Sequence, residues 1–313
     1  MTRLILNRIA IAIPVLLIMT ILTYFLVSLI PGNAATVILG PDATPEKIAA
    51  LNAQLGLDQP FYVQYWHWLT NAFHGDLGTS LYTGETVQKV ISQRIWPTLF
   101  VVGFATLAAA VVGISLGVWA AVKRGPVGRA LDTIAMLGIS LPNYWIALLL
   151  IVLVAGQLHW FPPIGYTPPE VNVADWISYL VLPVTALAVA GVAIIAKQTR
   201  DSMSEALSRD FMRFMQANGI TRGSLIFRHA LRYAALPIVA SIAGCFVNLF
   251  GGTVALEVVF AIPGLGQLVV TSTAQHDLTA IQGAVLSYTI VILVITLVAD
   301  ILYAVLNPKV RTR

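Results

Sequence analysis

The chain has 313 residues, of which 58% are apolar and only 10% charged, and its mean hydropathy is +0.84. That much apolar surface exceeds what one soluble core of this size can hide, which argues against a water-soluble enzyme and leaves lipid as the solvent for the excess. The net charge of +4 is scattered between apolar segments, which argues against nucleic-acid binding, and the single cysteine, Cys245, rules out an intramolecular disulfide or a cysteine metal cluster.

The first apolar run, Ile9 to Ile30, follows Arg3 and Arg8 as a secretion signal would. It is longer than the roughly 7 to 15 residues of a signal core, and Pro31-Gly32-Asn33 carries no small-residue cleavage pattern, so it reads as a retained first span. Crossing the hydrocarbon takes about 20 apolar residues in a helix, because every backbone polar group must be bonded internally. On that basis Thr98 to Val122, Ala135 to Ala155, Ile177 to Ala196, Leu236 to Phe260 and Ile281 to Leu306 complete an expected set of six spans. The fold expected is therefore all-α and polytopic. Of the 18 Lys and Arg residues, 15 fall before the first span, near Lys123, from Lys197 to Arg232, or after the last span. Only Lys47, Lys89 and Arg94 lie on the other face, so both termini are expected in the cytoplasm.

Division by sequence places residues 1–30 in an N-terminal segment with the first span, 31–97 in an external subdomain, 98–306 in a core with spans two to six, and 307–313 in a cytoplasmic tail. Within the external part, Thr44-Pro45-Glu46 ahead of Lys47 to Leu55 predicts a short capped helix. Pro60 to Phe73 carries tryptophans and tyrosines suited to the headgroup level, and Gly75-Asp76-Leu77-Gly78 marks a turn. Phe161-Pro162-Pro163 and Thr167-Pro168-Pro169 cannot sustain a helix and predict a second external excursion. Pro142 and Pro183 sit within or at the mouths of spans, where packing accounts for them.

The most informative stretch is residues 198–235 on the expected cytoplasmic face. Helix-compatible residues run from Ser202 to Ala217, Asn218-Gly219 stops them, and Thr221 precedes a further helical stretch with Phe227, Arg228, Leu231 and Arg232. Spacings of three and four allow Phe211, Phe214 and Met215 to share a face flanked by Arg209 and Arg213. Physically, such a helix either lies on anionic lipid or docks into a groove on another protein.

This segment resembles the cytoplasmic signature of the inner-membrane permease subunits of ATP-binding-cassette importers, in the subgroup for dipeptides, oligopeptides and nickel. In that family the signature carries a coupling helix that docks on an ATPase subunit. Gly219 matches the signature glycine, and Arg213, Phe214 and Met215 fill the preceding positions, where Phe214 and Met215 are bulkier than the pattern. Further motifs follow in the family's order: Gly75 to Ser80, Pro97-Thr98, Arg228 to Arg232 with Pro237, Glu257 to Phe260, Ile262 to Gly266, and Asp277 with Gln282-Gly283. The long loop after span one resembles dipeptide permease B-like members.

The resemblance implies a MetI-like type I importer permease fold, whose coupling contact would include Phe211, Arg213, Phe214, Met215, Gly219 and Arg228. It also implies a second homologous permease subunit, two ATPase subunits or domains that hold ATP and Mg, an extracytoplasmic binding protein, and a peptide substrate. The location implied is the bacterial cytoplasmic membrane. Glu257, Pro263, Gly264, Gly266 and Asp277 are candidates for an outer gate or external contact, because a carboxylate at a span end needs water or a partner. Asp300, deeper in the last span, is a candidate interhelical polar site.

Neither a phosphate-binding Gly-x-x-x-x-Gly-Lys-Ser/Thr segment nor paired zinc-type histidines occur in the sequence, so no cofactor, metal or catalytic residue is expected on this chain. Importers of nickel or glutathione are alternative readings. A stand-alone secondary transporter would rest on Glu257 and Asp300 alone, and a membrane protease would need convergent catalytic side chains that the sequence does not offer.

Overall fold

The computed structural model describes residues 2–30, 32, 34–123, 138 and 141–306. Among them every regular element is helical, and the one β pairing is an isolated bridge between Thr79 and Thr86. In chain order the helices are α1 (Thr2–Ser28), α2 (Ala34–Leu39), α3 (Pro45–Leu55), α4 (Phe61–Phe73), α5 (Val87–Val122) and α6 (Asn143–Leu150), the last continued by a π-wound turn at Ile151–Gln157. They are followed by α7 (Val173–Ser208), α8 (Asp210–Ala217), α9 (Arg222–Val259, π-wound over Leu225–Ala230), α10 (Leu265–Ala274) and α11 (Leu278–Leu306).

Five of these, α1, α5, α7, α9 and α11, are long and apolar enough to cross a membrane. The expected span Ala135 to Ala155 is represented only by Asn143–Gln157, whose eight α-helical and seven π-wound residues reach about 20 Å of the roughly 30 Å required. Residues 135–137, 139 and 140 of that span lie outside the described residues. Helix α5 begins at Val87 and runs through Pro97, so it starts well before the apolar run that marks it in the sequence.

The chain folds as two compact units. One comprises Thr2–Thr98 and Pro263–Val294, so a late segment joins the N-terminal part instead of following the linear division at residue 97. Within it Thr44 caps α3 by accepting from the Lys47 amide at 3.4 Å. Helix α4 turns Tyr65 and Trp68 inward, where the Tyr65 ring meets Tyr24 of α1 edge-on at 5.7 Å, and leaves Tyr62, Trp66 and Phe73 exposed. Gln282 of α11 donates to the Thr20 carbonyl of α1 at 2.8 Å. Val87, Ile91 and Leu265 form the centre of this unit's core.

The other unit comprises Leu99–Ile262 and the end of α11 from Ile295. Its main pairing is α7 against α9, with α6 packed on both. Helix α5 approaches α7 through Gly113 and Gly117: a Cβ on Gly117 would come within 2.5 Å of Thr199 Cβ and 2.6 Å of the Ala196 carbonyl. That spacing of four is the small-residue device by which helices pack closely in lipid, where no hydrophobic force draws them together. At one end, Val118, Met203, Met212, Leu225, Ile226 and Ala234 close an apolar core. Elsewhere many side chains of α1 and α11 are exposed and apolar, among them Leu6, Ile13, Ile18, Val294 and Val305, as surfaces immersed in lipid must be.

Candidate functional site

The turn at Asn218-Gly219 and the helix after it are present as expected, but the run Ser202 to Ala217 is broken at Arg209 into the end of one helix and a short second one. Helix α7 ends at Ser208, Arg209 is extended with φ −66° and ψ 144°, and α8 then runs for eight residues. At its far end the Asn218 side chain donates to the Phe214 carbonyl at 2.8 Å, and the Ile220 amide reaches the Met215 carbonyl at 3.2 Å. This six-to-one closure needs a left-handed residue, and Gly219 supplies it with φ +80°.

What holds α8 in place differs from the expected grouping of Phe211, Phe214 and Met215. The anchor is Met212, which is 1% exposed in the core with Met203, Leu225 and Ile226, and Met215 packs beside it. Phe214 points away and is 71% exposed, and Arg213 is also exposed. Phe211 lies at the edge, with its ring 5.9 Å from that of Tyr233 on α9. Arg209 sits over the same Tyr233 ring at 5.8 Å and pairs with Glu205, and this carboxylate, with Tyr233, pushes the guanidinium pKa further above its ordinary value. Three and four are both helical spacings, so the pattern alone left the inward direction open, and the core decided it in favour of Met212 and Met215. Tyr233, which sequence reasoning missed, carries no local signal beyond its aromatic character.

The outer side of this element presents Arg213, Phe214 and Gly219, with Arg228 exposed on the π-wound stretch of α9. A cavity of about 510 Å³ lies beside it, bounded by Leu207, Met212, Arg213, Gln216, Ile220 and Arg222. An exposed aromatic ring next to Arg213 on a short, firmly anchored helix offers a shape that can be gripped and pushed.

The remaining candidates are more buried than expected. Glu257 is 0% exposed and Asp277 1%, so neither touches an external partner in this conformation. Asp277 instead clasps the first unit together: it accepts from Ser80 and from the Ala280 amide at 3.1 Å, and it shares the single proton of the Thr279 hydroxyl, 2.9 Å away, with the Thr79 carbonyl at 2.7 Å from that hydroxyl. The Pro263-Gly264-Gly266 turn opens α10, where the Leu265 amide donates to the buried Thr98 hydroxyl at 2.9 Å. Motifs far apart in the sequence therefore meet in pairs, residues 79 and 80 with 277 and 279, and residue 98 with 265. Asp300 lies half-buried in α11. No cluster of three His, Cys, Asp or Glu residues that could hold a metal occurs among the described residues.

The family model for the binding-protein-dependent transport system inner membrane component matches residues 113–312, and the model of its N-terminal region matches residues 1–101. The chain belongs to this family. A protein assigned as a peptide transport system permease in Brucella abortus is 38% identical over 312 residues, covering 99% of both chains. A glutathione transport system permease of Salmonella choleraesuis is 37% identical over 313 residues, again covering 99% of both. An inward-facing structure of the MetNI methionine ABC transporter aligns with a TM-score of 0.60 at 17% identity, covering 70% of this chain and 97% of the other. The fold is thus that of a MetI-like permease, and family membership makes the chain the non-catalytic membrane component of an ABC importer, in keeping with ATP hydrolysis on separate subunits.

Proposed function

We propose that this permease forms half of the translocation route of a peptide importer and that α8 couples it to an ATPase subunit. The observation that carries the coupling is the division of α8 into a buried anchor, Met212, and an exposed crown, Phe214 with Arg213, ended by a left-handed Gly219. Force applied to the crown passes through the anchor into α7 and α9, because packed interiors transmit displacement with little compression. In this reading a second homologous permease completes the route, two ATPases bind ATP and Mg, and an extracytoplasmic binding protein delivers substrate. Alternating access follows from ATP-driven movement of α8.

Six crossings with both termini in the cytoplasm are part of the proposal, and the 15-to-3 asymmetry of basic residues supports it. Dipeptides and short oligopeptides are the proposed substrates, supported by the full-length likeness to peptide permeases and by a long first external loop of the dipeptide permease B kind. Glutathione import is the second reading, favoured by a full-length likeness of nearly equal identity. Glu257 and the Pro263 to Gly266 turn are proposed to act in the outer gate from their buried positions, and Asp300 to pair between helices. The deciding experiment reconstitutes the permease pair, ATPases and binding protein and compares uptake of dipeptides, longer peptides, glutathione and nickel. Peptide uptake driven by ATP is expected, whereas selective uptake of nickel or glutathione would overturn the peptide assignment.

A further inference from the structure

Helices α7, α9 and α11 leave a cavity of about 440 Å³ whose wall includes Gln198, Ser241, Gly244, Cys245, Asn248 and Tyr303. The volume falls within the roughly 300 to 1,000 Å³ typical of small-molecule sites. Polar side chains reach it from all three helices, and none of the residues lining it is charged. Asn248 is at the centre of the apolar run Leu236 to Phe260, is exposed, and makes no side-chain hydrogen bond among the described residues. Along the same face of α9, Ala240, Gly244 and Gly251 are also exposed, and a Cβ on Gly244 or Gly251 would meet nothing within 4 Å.

An unpaired amide at this depth is strongly disfavoured against hydrocarbon, so the face requires a polar occupant. A tightly packed helix would close the volume against the small residues, as such residues do at helix contacts in lipid. The open cavity and the convergence of three helices' polar groups on it fit a passing solute. Its chemistry is specific: the Asn248 amide offers both a donor and an acceptor, matching the donor and acceptor of a peptide unit, while the hydroxyls of Ser241 and Tyr303 serve either role. A bare divalent cation would find neither carboxylate nor imidazole there.

We propose that this cavity is a station on the translocation route and that Asn248 holds the main-chain amide of the passing peptide, so that passage is indifferent to the charge of the peptide's side chains. The inference rests on the peptide-import reading. Its test uses the complete reconstituted transporter with the neutral, cationic and anionic dipeptides Ala-Ala, Ala-Lys and Ala-Glu. The native protein is expected to carry all three at comparable rates once each is bound by the binding protein. Asn248→Asp is expected to shift the Ala-Lys to Ala-Glu uptake ratio about tenfold toward the cation, a modest share of what a facing charge exerts in a partly desolvated site. Asn248→Gln should preserve the native ratio. In a Cys245→Ser background, Asn248→Cys should react with a membrane-impermeant methanethiosulfonate, with peptide slowing the reaction.

An unchanged ratio in Asn248→Asp with native peptide uptake would overturn the route assignment alone. So would an unreactive Asn248→Cys, or loss of the partner permease from the Asn248→Asp complex, which would mark the face as a helix contact. Failure of the native complex to carry any peptide would overturn the peptide reading and this inference with it.

Discussion

At the scale of single residues, two positions carry distinct kinds of constraint. Gly219 has φ +80° with open space around it, so a side chain there is penalised by the backbone alone. A left-handed conformation costs a non-glycine residue about 1 to 2 kcal/mol, with asparagine among the least affected and β-branched residues among the most. Gly219→Val is therefore expected to lower substrate-stimulated ATP turnover and uptake at normal membrane abundance, and Gly219→Asn to retain most of both. Equal activity of the two variants would show that the turn is not required. Asp277 is constrained by its partners: replacing it with alanine strands the donors of Ser80 and Ala280, while Thr279 keeps the Thr79 carbonyl. The expected cost is about 2 to 3 kcal/mol, read as a lower melting temperature of the detergent-solubilised protein. Asp277→Asn should recover part of it.

Among the elements, α8 separates stability from coupling within eight residues. Met212→Ala removes a core side chain and is expected to destabilise by about 2 to 4 kcal/mol, visible in thermal unfolding before any ATPase is added. Phe214→Asp changes a side chain that is 71% exposed, so the melting temperature should hold while co-purification of the ATPases or stimulated turnover falls. Normal assembly, hydrolysis and uptake in Phe214→Asp would remove α8 from the mechanism. Part of this element was legible in the sequence: its stop at Asn218-Gly219 and the helix that follows agree with cap and turn residues, whereas the break at Arg209 that sets its eight-residue length was not, because Ser202 to Ala217 reads as one helix. Its inward face was not, because Met212 and Phe214 differ little in hydropathy and only the core of α7 and α9 distinguishes them. The burial of Glu257 and Asp277 was hidden for a related reason, since a carboxylate near a span end reads as exposed, and for Asp277 the donor Ser80 lies far away in the sequence.

For the whole molecule, five long apolar helices follow directly from composition and run length, whereas the expected third span shows how a continuous apolar run can be wound unevenly. The proposed topology puts Asp58 and Glu170 outside the cell and Gly125, Ser208 and Arg313 inside. Single cysteines at these positions in a Cys245→Ser background should react accordingly with an impermeant thiol reagent in intact cells, and external labelling at Ser208 would reverse the arrangement. The length of α7 bears on what α8 can sense. Its expected membrane portion ends at Ala196, yet the helix continues unbroken to Ser208, about 18 Å farther at 1.5 Å per residue. That length does not carry α8 clear of the bilayer, because Met212 shares one apolar core with Val118 and Ile238, both inside expected spans, so the short helix is folded back against the ends of the spans. The exposed Arg213 of α8 is thereby placed within reach of the headgroup charges, which physiological salt screens over about 8 Å, and exchanging neutral for anionic lipid should shift coupling by an amount that shrinks as salt is raised.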